Sequence, residues 1–524
     1  MKHLQLPFFT LLTALLAVAG CDGDPGTDGG VPPTDAGADA GEVPMDGGPT
    51  PTDAGADAAT PLVDAGPHDG GPTGIPADYA FESRFMPGVS SISYGGQTAR
   101  HVLMLDIKTY VDGLTARIDG GFDPADGAPV MAALEYFFSV PAADRADDPI
   151  LLRTTPSSLQ TTYGELSRSA FLLEKVAGND RSTDYQDWDT AFRGWSDASI
   201  AAHGGGITSP TLFARALMHT IARNAVLRGQ GTDRLSPVAS PMRLPVHVTE
   251  SGIDLSQLLQ KFLLVSIAFH QGVDDYLDDD VANKGLLTDN TMQAGTNPWT
   301  ELEHVWDEGF GYFGASRFYG DVTATMFSAS IDRDMDMRID LFTEHNYGAS
   351  VNAARRDAGA RVATDFMGQA WTEFRAGRAL ITSAGGALSE AQMTELRGHR
   401  DRAERAWEGA YAATVIHYIN DTLQHMATYG TAAFDHAEFL ALATHWAEMK
   451  GFAFAFQYNP RSPITAPQFA MIHALLGDAP VLPAAGDAAV AAYRVALRQA
   501  RGIIGAAFGF DPANLGDDDG QNGW

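Results

Sequence analysis

The chain has 524 residues and a formal net charge of −31. This acidic balance excludes nucleic-acid partners, which need clustered Lys and Arg, and excludes docking on anionic lipid through a basic patch. The length predicts one large domain or two ordinary ones.

The first twenty residues have the pattern of a secretion signal. Lys2 and His3 precede the apolar run LPFFTLLTALLAVA, which is shorter than the about 20 residues of a membrane span. The signal ends in VAGC, which looks like a bacterial lipobox, and Cys21 is the only cysteine of the chain. We expect Cys21 to carry a lipid that anchors the protein in the cell envelope, at the outer membrane or the periplasmic face of the inner membrane. The alternative is a plain secreted protein with a chance cysteine.

Residues 21–77 are predicted to form a disordered tether. The segment is rich in Gly, Asp, Pro, Thr and Ala, and TDAGADAG (34–41) is nearly repeated as TDAGADAA (52–59). Such a composition cannot bury enough apolar surface to offset the entropy of ordering. We expect it to hold the folded part away from the membrane.

Residues 78–524 are predicted to form an all-α helical bundle. Apolar residues recur at helical spacing along 99–114, and again in seven later segments. Ser389 and Gln392 form a capping box at the start of the longest of these. The later segments are 209–229, 254–277, 351–383, 389–428, 435–457, 465–477 and 487–507.

The stretch EHVWDEGFGYFG (303–314) contains a literal G-x-G-x-x-G. A dinucleotide-binding loop needs a strand before the glycines and a helix after them. Here a helical run precedes the glycines, and bulky aromatic residues occupy the spacer positions. We therefore predict that the glycines end or kink a helix and let aromatic residues pack closely.

The same stretch places His304 one helical turn from both Asp307 and Glu308. If these residues form a functional polar site, their three side chains should converge. The alternative is a structural helix whose Trp306 and Phe310 pack inward while the carboxylates bond to the backbone or to an Arg. The spacings of a paired di-iron site and of a zinc peptidase are both absent.

A second His–carboxylate pair, His445 and Glu448, has i, i+3 spacing. His417 and His270 also lie on predicted helix faces. Any one of these is more often a satisfied core or surface histidine than a ligand. Together they leave open a transition-metal centre, with iron or zinc as the ion.

The segment IDRDMDMRIDLFTE (331–344) has the alternating acids of a calcium loop of the EF-hand type. The predicted side-chain ligands are Asp332, Asp334, Asp336 and Asp340. Met337 replaces the turn glycine, and Glu344 comes one residue later than the expected bidentate acid. The alternative is a solvated acidic loop without Ca²⁺.

Five segments together resemble an imelysin-like family of bacterial lipoproteins that is catalogued as a domain of unknown function (four-eight-five-six). They are SISYGGQTARHVLML, EHVWDEGFGYFG, DRDMDMRIDLFTEHNYGASVNAARRD, AATVIHYIND and HWAEMKGFAFAFQYNP, and the resemblance spans 79–480. It implies bundled helices, an association with iron uptake, and no established activity. The family's acidic loop commonly has a glycine where this chain has Met337, and His445 with Glu448 keeps the H-x-x-E part of the imelysin motif G-x-H-x-x-E.

Three hypotheses about function follow. The first is a non-enzymatic envelope lipoprotein that binds a metal ion or a metal-linked ligand in a cavity lined by residues from both His–carboxylate groups: His304, Asp307, Glu308, His445 and Glu448. The second is a metal-dependent hydrolase in which His304 or His445 acts with Glu308 or Glu448. The third is a structural or protein-interaction lipoprotein, whose protein partners the sequence does not identify.

Overall fold

A computed structural model of the chain describes residues 74–181, 183–196 and 207–524. Over these ranges the secondary structure is helical, with only isolated β-bridges and no strand, which confirms the all-α prediction. The predicted signal, Cys21 and the tether up to residue 73 lie outside the described residues. None of the helices in the described ranges is long and apolar enough to cross a bilayer.

Twelve α-helices occur in the described part of the chain, and the longest of them lies at the centre of the packing. That helix, α9, begins at the predicted capping box of Ser389 and Gln392 and packs against α7, α8, α10 and α12. The helices are α1 (Gly95–Asp119), α2 (Ala128–Ser139), α3 (Trp188–Ala191), α4 (Pro210–Gly229), α5 (Leu255–Leu263), α6 (Glu301–Phe313), α7 (Gly348–Gly359), α8 (Phe366–Ala384), α9 (Glu390–Ala427), α10 (His436–Ala453), α11 (Ala466–Leu476) and α12 (Asp487–Phe508).

Helix α5 continues into two π-helical turns, Leu264–Phe269 and Gln271–Tyr276, separated by His270. We call residues 264–276 the π segment. Every residue from Leu255 to Asp275 is buried, so this helix passes through the interior of the bundle. Isolated π turns are rare and occur frequently at functional sites.

The glycines of EHVWDEGFGYFG serve helix packing, as predicted. A Cβ atom on Gly311 would lie 2.6 Å from Cβ of Tyr94, so only glycine allows α6 to approach this closely. Gly314 has φ of +82° and ends α6 in the left-handed conformation. Trp306 and Phe310 are fully buried, as the structural interpretation of this helix requires.

Candidate functional site

The π segment contributes an imidazole and a carboxylate that face a third acidic side chain from a distant loop. His270 and Asp274 are four residues apart on the segment, and Asp184 lies in the loop before α3. The His270 and Asp274 side chains are inaccessible to solvent, and that of Asp184 is only 5% exposed. We call these three residues the π-segment site.

The three side chains converge on one point. Nε2 of His270 lies 3.0 Å from Oδ1 of Asp184 and 3.2 Å from Oδ2 of Asp274, and one ligand atom from each residue lies within 4.8 Å of the others. Ligands about 2.0–2.2 Å from a shared metal ion are separated by about 3–3.5 Å. The observed spacings therefore match those of side chains that bind one cation.

Three buried polar atoms of the π-segment site lack a hydrogen bond of conventional geometry, although Nε2 of His270 lies within ion-pair distance of both carboxylates. Oδ2 of Asp274 accepts the N–H of Tyr185 at 3.1 Å. Within the described residues, Oδ1 of Asp184, Oδ1 of Asp274 and Nε2 of His270 have no partner with hydrogen-bond geometry. Buried charged groups are normally paired or bound to a metal, because desolvation is costly. Two ionised carboxylates and a neutral imidazole carry a charge of −2, which a divalent cation balances.

The two acids also control the protonation of His270. Burial alone lowers the pKa of His270, but the adjacent Asp184 and Asp274 carboxylates outweigh it and raise the pKa to about 10. The ring is therefore an imidazolium at neutral pH when no metal is bound. A metal ion would displace this proton, because only neutral imidazole is a ligand.

Aromatic rings enclose the π-segment site, and a cavity lies beside it. The rings of Trp188 and Tyr458 are 5.8 and 5.7 Å from that of His270. In the wall of a cavity of about 270 Å³, Arg461 donates a hydrogen bond to the carbonyl of Val273. The cavity is lined by Asp401, Glu404, Arg405, Glu408, Asn459, Arg461 and Pro463.

The predicted group on α6 separates into two environments. Nε2 of His304 lies 3.7 Å from Oε2 of Glu308, and both side chains are partly exposed. Asp307 instead faces the core, where it accepts hydrogen bonds from Tyr79 Oη at 2.7 Å and from Arg378 Nε at 2.9 Å. Asp307 thus has the Arg partner that the structural interpretation of α6 expects.

The predicted pair His445 and Glu448 likewise contacts different groups. Oε1 of Glu448 lies 3.1 Å from Nζ of Lys261 on α5. Nδ1 of His445 lies 2.9 Å from Nε2 of His425 on α9. Helix α10 packs on α5, α9 and α11, whereas α6 packs on α1, α7, α8 and the π segment. The two predicted His–carboxylate groups therefore have different helical neighbours.

The acidic loop brings Asp332, Asp334 and Glu344 together, with one carboxylate oxygen of each within 4.8 Å of the others. Glu344 accepts the backbone N–H groups of Arg333 at 2.7 Å and of Asp340 at 2.8 Å. Glu344 therefore takes part in the loop, although it comes one residue later than the bidentate acid of a calcium loop.

The remaining predicted calcium ligands accept hydrogen bonds from the loop backbone and from Gln160. Oδ1 of Asp336 accepts the N–H of Arg338 at 2.7 Å, and Oδ1 of Asp340 accepts Nε2 of Gln160 at 2.8 Å. Met337 has φ of +66°, the left-handed conformation that glycine usually supplies at this position of a calcium loop. The backbone turn of such a loop is thus present without its glycine.

Comparison with known proteins covers part of this region. Residues 244–399 match the family model described as Domain of unknown function (DUF4856). The matched range includes His270, Asp274, the α6 group and the acidic loop, whereas Asp184, His445 and Glu448 lie outside it. No curated protein and no solved structure matches the chain.

Sequence reasoning missed the π-segment site as a unit. The i, i+4 spacing of His270 and Asp274 in AFHQGVDDY was an available signal, because it puts both side chains on one helix face. Asp184 gave no such signal, since it precedes His270 by 86 residues and reaches it only through the fold.

Proposed function

We propose that this protein is a lipid-anchored, non-enzymatic metal-binding protein of the bacterial cell envelope, with a role of the iron-uptake type. The proposal rests on one observation, the convergence of Asp184, His270 and Asp274 on a single buried point. One imidazole and two carboxylates form a ligand set that suits Fe²⁺, Mn²⁺ or Zn²⁺.

The resemblance to imelysin-like proteins supports the envelope and iron-uptake parts of the proposal. The lipobox-like Cys21 and the acidic tether fit a domain held outside the membrane. The cavity beside the π segment offers space for a metal-linked ligand, whose polar groups would meet Arg405 and Arg461 as well as Asp401, Glu404 and Glu408 in its wall.

Metal analysis of the purified full-length protein tests the metal-binding part. After removal of metal by a chelator and dialysis against Fe²⁺ under anaerobic conditions or against Zn²⁺, we expect the π-segment site to retain one equivalent. Asp274→Asn and His270→Gln should each lose it. His473→Gln is the matched control, because His473 is a buried histidine whose ring nitrogens contact the carbonyls of Gly194 and Ala453. Equal metal content in all four proteins would refute the assignment.

The anchor is tested separately. Wild-type protein expressed with its signal should enter the detergent phase, and Cys21→Ser should remain in the aqueous phase. Identical partitioning of the two proteins would show that no lipid is attached at Cys21.

A further inference from the structure

A larger cavity, of about 380 Å³, lies on another side of the bundle. Its walls are the loop 319–325, the end of α7 and the first two turns of α8, so we call it the α8 cavity. It shares no residue with the π-segment site or with the acidic loop. Its volume falls in the range of about 300–1,000 Å³ that small-molecule sites have.

Trp371 contributes a hydrogen-bond donor without a partner to the α8 cavity. The residue is only 6% exposed, and its Nε1 makes no hydrogen bond to any of the described residues. The N–H groups of Trp188, Trp299 and Trp407 also lack a partner, but they are sealed in the core. The guanidinium of Arg375 lies 4.7 Å from the ring centroid of Trp371 and covers the ring. A ligand would therefore meet the N–H edge of this indole.

Gly320 keeps the space beside that N–H free. A Cβ atom on Gly320 would lie 2.1 Å from Nε1 of Trp371 and 2.8 Å from its Cδ1. The φ angle of Gly320 lies outside the left-handed region, so the backbone conformation does not require glycine here. Gly320 is exposed and lines the cavity. Any side chain at this position would fill the space in front of the indole N–H.

Threonine hydroxyls supply further polar groups, each of which both donates and accepts. The hydroxyls of Thr323 and Thr325 are 3.1 Å apart in the exposed loop. Thr372 is exposed beside Trp371, and its hydroxyl makes no hydrogen bond to the described residues. The threonines that line the cavity are Thr323, Thr325, Thr364 and Thr372.

The two carboxylates of the α8 cavity already have donors. Asp357 accepts the N–H groups of Phe366 at 2.9 Å and of Met367 at 2.7 Å. Asp365 caps α8 by accepting the N–H of Gly368 at 3.1 Å. Both can accept one more hydrogen bond from a ligand. Among the described residues no Lys, Arg or His lines the cavity, so an anionic ligand would face two acids without a cation.

We propose that the α8 cavity binds a neutral hexose unit. Sugar hydroxyls both donate and accept, which matches the threonines, the two acids and the indole N–H. The C–H faces of a sugar ring match the apolar part of the wall, formed by Val322, Ala324 and Met367. The site uses no residue of the π-segment site, so it stands independently of the function proposed above.

NMR titration of full-length protein labelled with ¹⁵N-tryptophan tests the proposal. The eight tryptophans give eight indole N–H signals, and Trp371→Phe identifies the one from Trp371. The probes are glucose, galactose, mannose and N-acetylglucosamine at millimolar concentrations. At least one should shift the Trp371 signal in a saturable way. Glucose 6-phosphate should bind more weakly than glucose; tighter binding of the phosphate would refute a neutral ligand.

Two variants locate the sugar. Gly320→Ala should abolish the shift, and Thr372→Val should weaken binding about 2–10-fold through the loss of one hydrogen bond. Thr394→Val is the matched control, because Thr394 is exposed on α9 and its hydroxyl donates to the carbonyl of Glu390 at 2.8 Å. It should bind as wild type does.

Asp274→Asn should also bind sugar normally, so loss of the metal site leaves this result unchanged. Circular dichroism checks the folding of each variant. If no sugar shifts the Trp371 signal, or if the shift survives unchanged in both Gly320→Ala and Thr372→Val, the proposal is wrong.

Discussion

Nε of Arg378 donates a hydrogen bond to Oδ1 of Asp307 at 2.9 Å, in a place where neither side chain is exposed to solvent. The same guanidinium lies 3.2 Å from Oε1 of Glu303 and donates to Oγ of Ser91 at 2.7 Å. This cation therefore ties α8 both to α6 and to the segment before α1. The arrangement makes Asp307 a structural residue of the bundle.

Replacing Arg378 by Met should strongly destabilise the fold. The variant leaves Asp307 buried without its cation and leaves Glu303 with Arg84 alone, whose Nε lies 3.6 Å from Oε1. Breaking a buried ion pair costs about 3–5 kcal/mol. Urea unfolding followed by circular dichroism measures the loss. Arg397→Met is the control, because Arg397 is 41% exposed in its pair with Asp279 and exposed pairs contribute less than about 1 kcal/mol. Equal losses in the two variants would contradict the structural role of Arg378.

Calcium should stabilise the protein through the acidic loop. An ion that binds the folded state alone raises the free energy of unfolding by about 2.7 kcal/mol at 100 times its dissociation constant. We expect millimolar Ca²⁺ to raise the melting temperature of wild-type protein, and Asp332→Asn and Glu344→Gln to abolish the increase. Asp518→Asn is the control, because it alters an acid in another loop, where the side chain is 85% exposed. This variant should still show the increase in melting temperature with Ca²⁺. A melting temperature unaffected by Ca²⁺ would favour a solvated loop.

Buried histidines should make the fold sensitive to acid. Burial lowers the pKa of His101 to about 4, although its ring contacts the carbonyls of Gly311 and Tyr312. Because the unfolded chain binds this proton near pH 6.5, the stabilisation is complete above pH 6.5 and is lost as the pH falls towards 4.

Between pH 7 and pH 4.5, wild-type protein should lose about 2 kcal/mol more of its unfolding free energy than His101→Gln, which does not titrate. Denaturant titrations at the two pH values give the comparison. His345→Gln should behave similarly, because burial lowers the pKa of His345 to about 3. Parallel pH profiles for wild type and both variants would exclude this source of acid sensitivity.

Gly377 in α8 should not tolerate a side chain. A Cβ atom there would lie 2.1 Å from Cζ2 of Trp306, and Trp306 is held in place by a hydrogen bond from Nε1 to the carbonyl of Phe374 at 2.8 Å. Gly377→Ala should cost about 1–3 kcal/mol through overpacking. Gly502→Ala in α12 meets no atom within 4 Å and should stabilise by about 0.5–1 kcal/mol. Stabilisation by both changes would disprove the close contact.

The sequence predicted those features that depend on local chemistry. Helical periodicity gave the all-α class, and Ser389 and Gln392 marked the start of α9. The structural alternative for α6, with Trp306 and Phe310 packed inward, agrees with the burial of both side chains. The side-chain contacts that form the candidate sites could not be predicted from the sequence. Arg378 is 71 residues from Asp307, and nothing local distinguishes it from any other Arg. The pairing of Glu448 with Lys261 is equally non-local.

The two π turns could not be predicted from the sequence either, because their i+5 hydrogen bonding depends on packing from all sides. Residues 254–277 were predicted as one helical segment, and their apolar character fits an α-helix equally well. The separation of Asp184 from His270 along the chain then hid the third member of the site.

Because of the two π turns, the geometry of the π-segment site depends on the number of residues in this stretch of helix. A π turn amounts to one residue inserted into an α-helix, and each residue of an α-helix turns the chain by about 100°. Deleting one residue between Leu264 and Phe269 would restore ordinary α-helical pitch there and swing His270 away from Asp184. Among related chains, the length of this stretch should therefore indicate metal binding better than the presence of the histidine does.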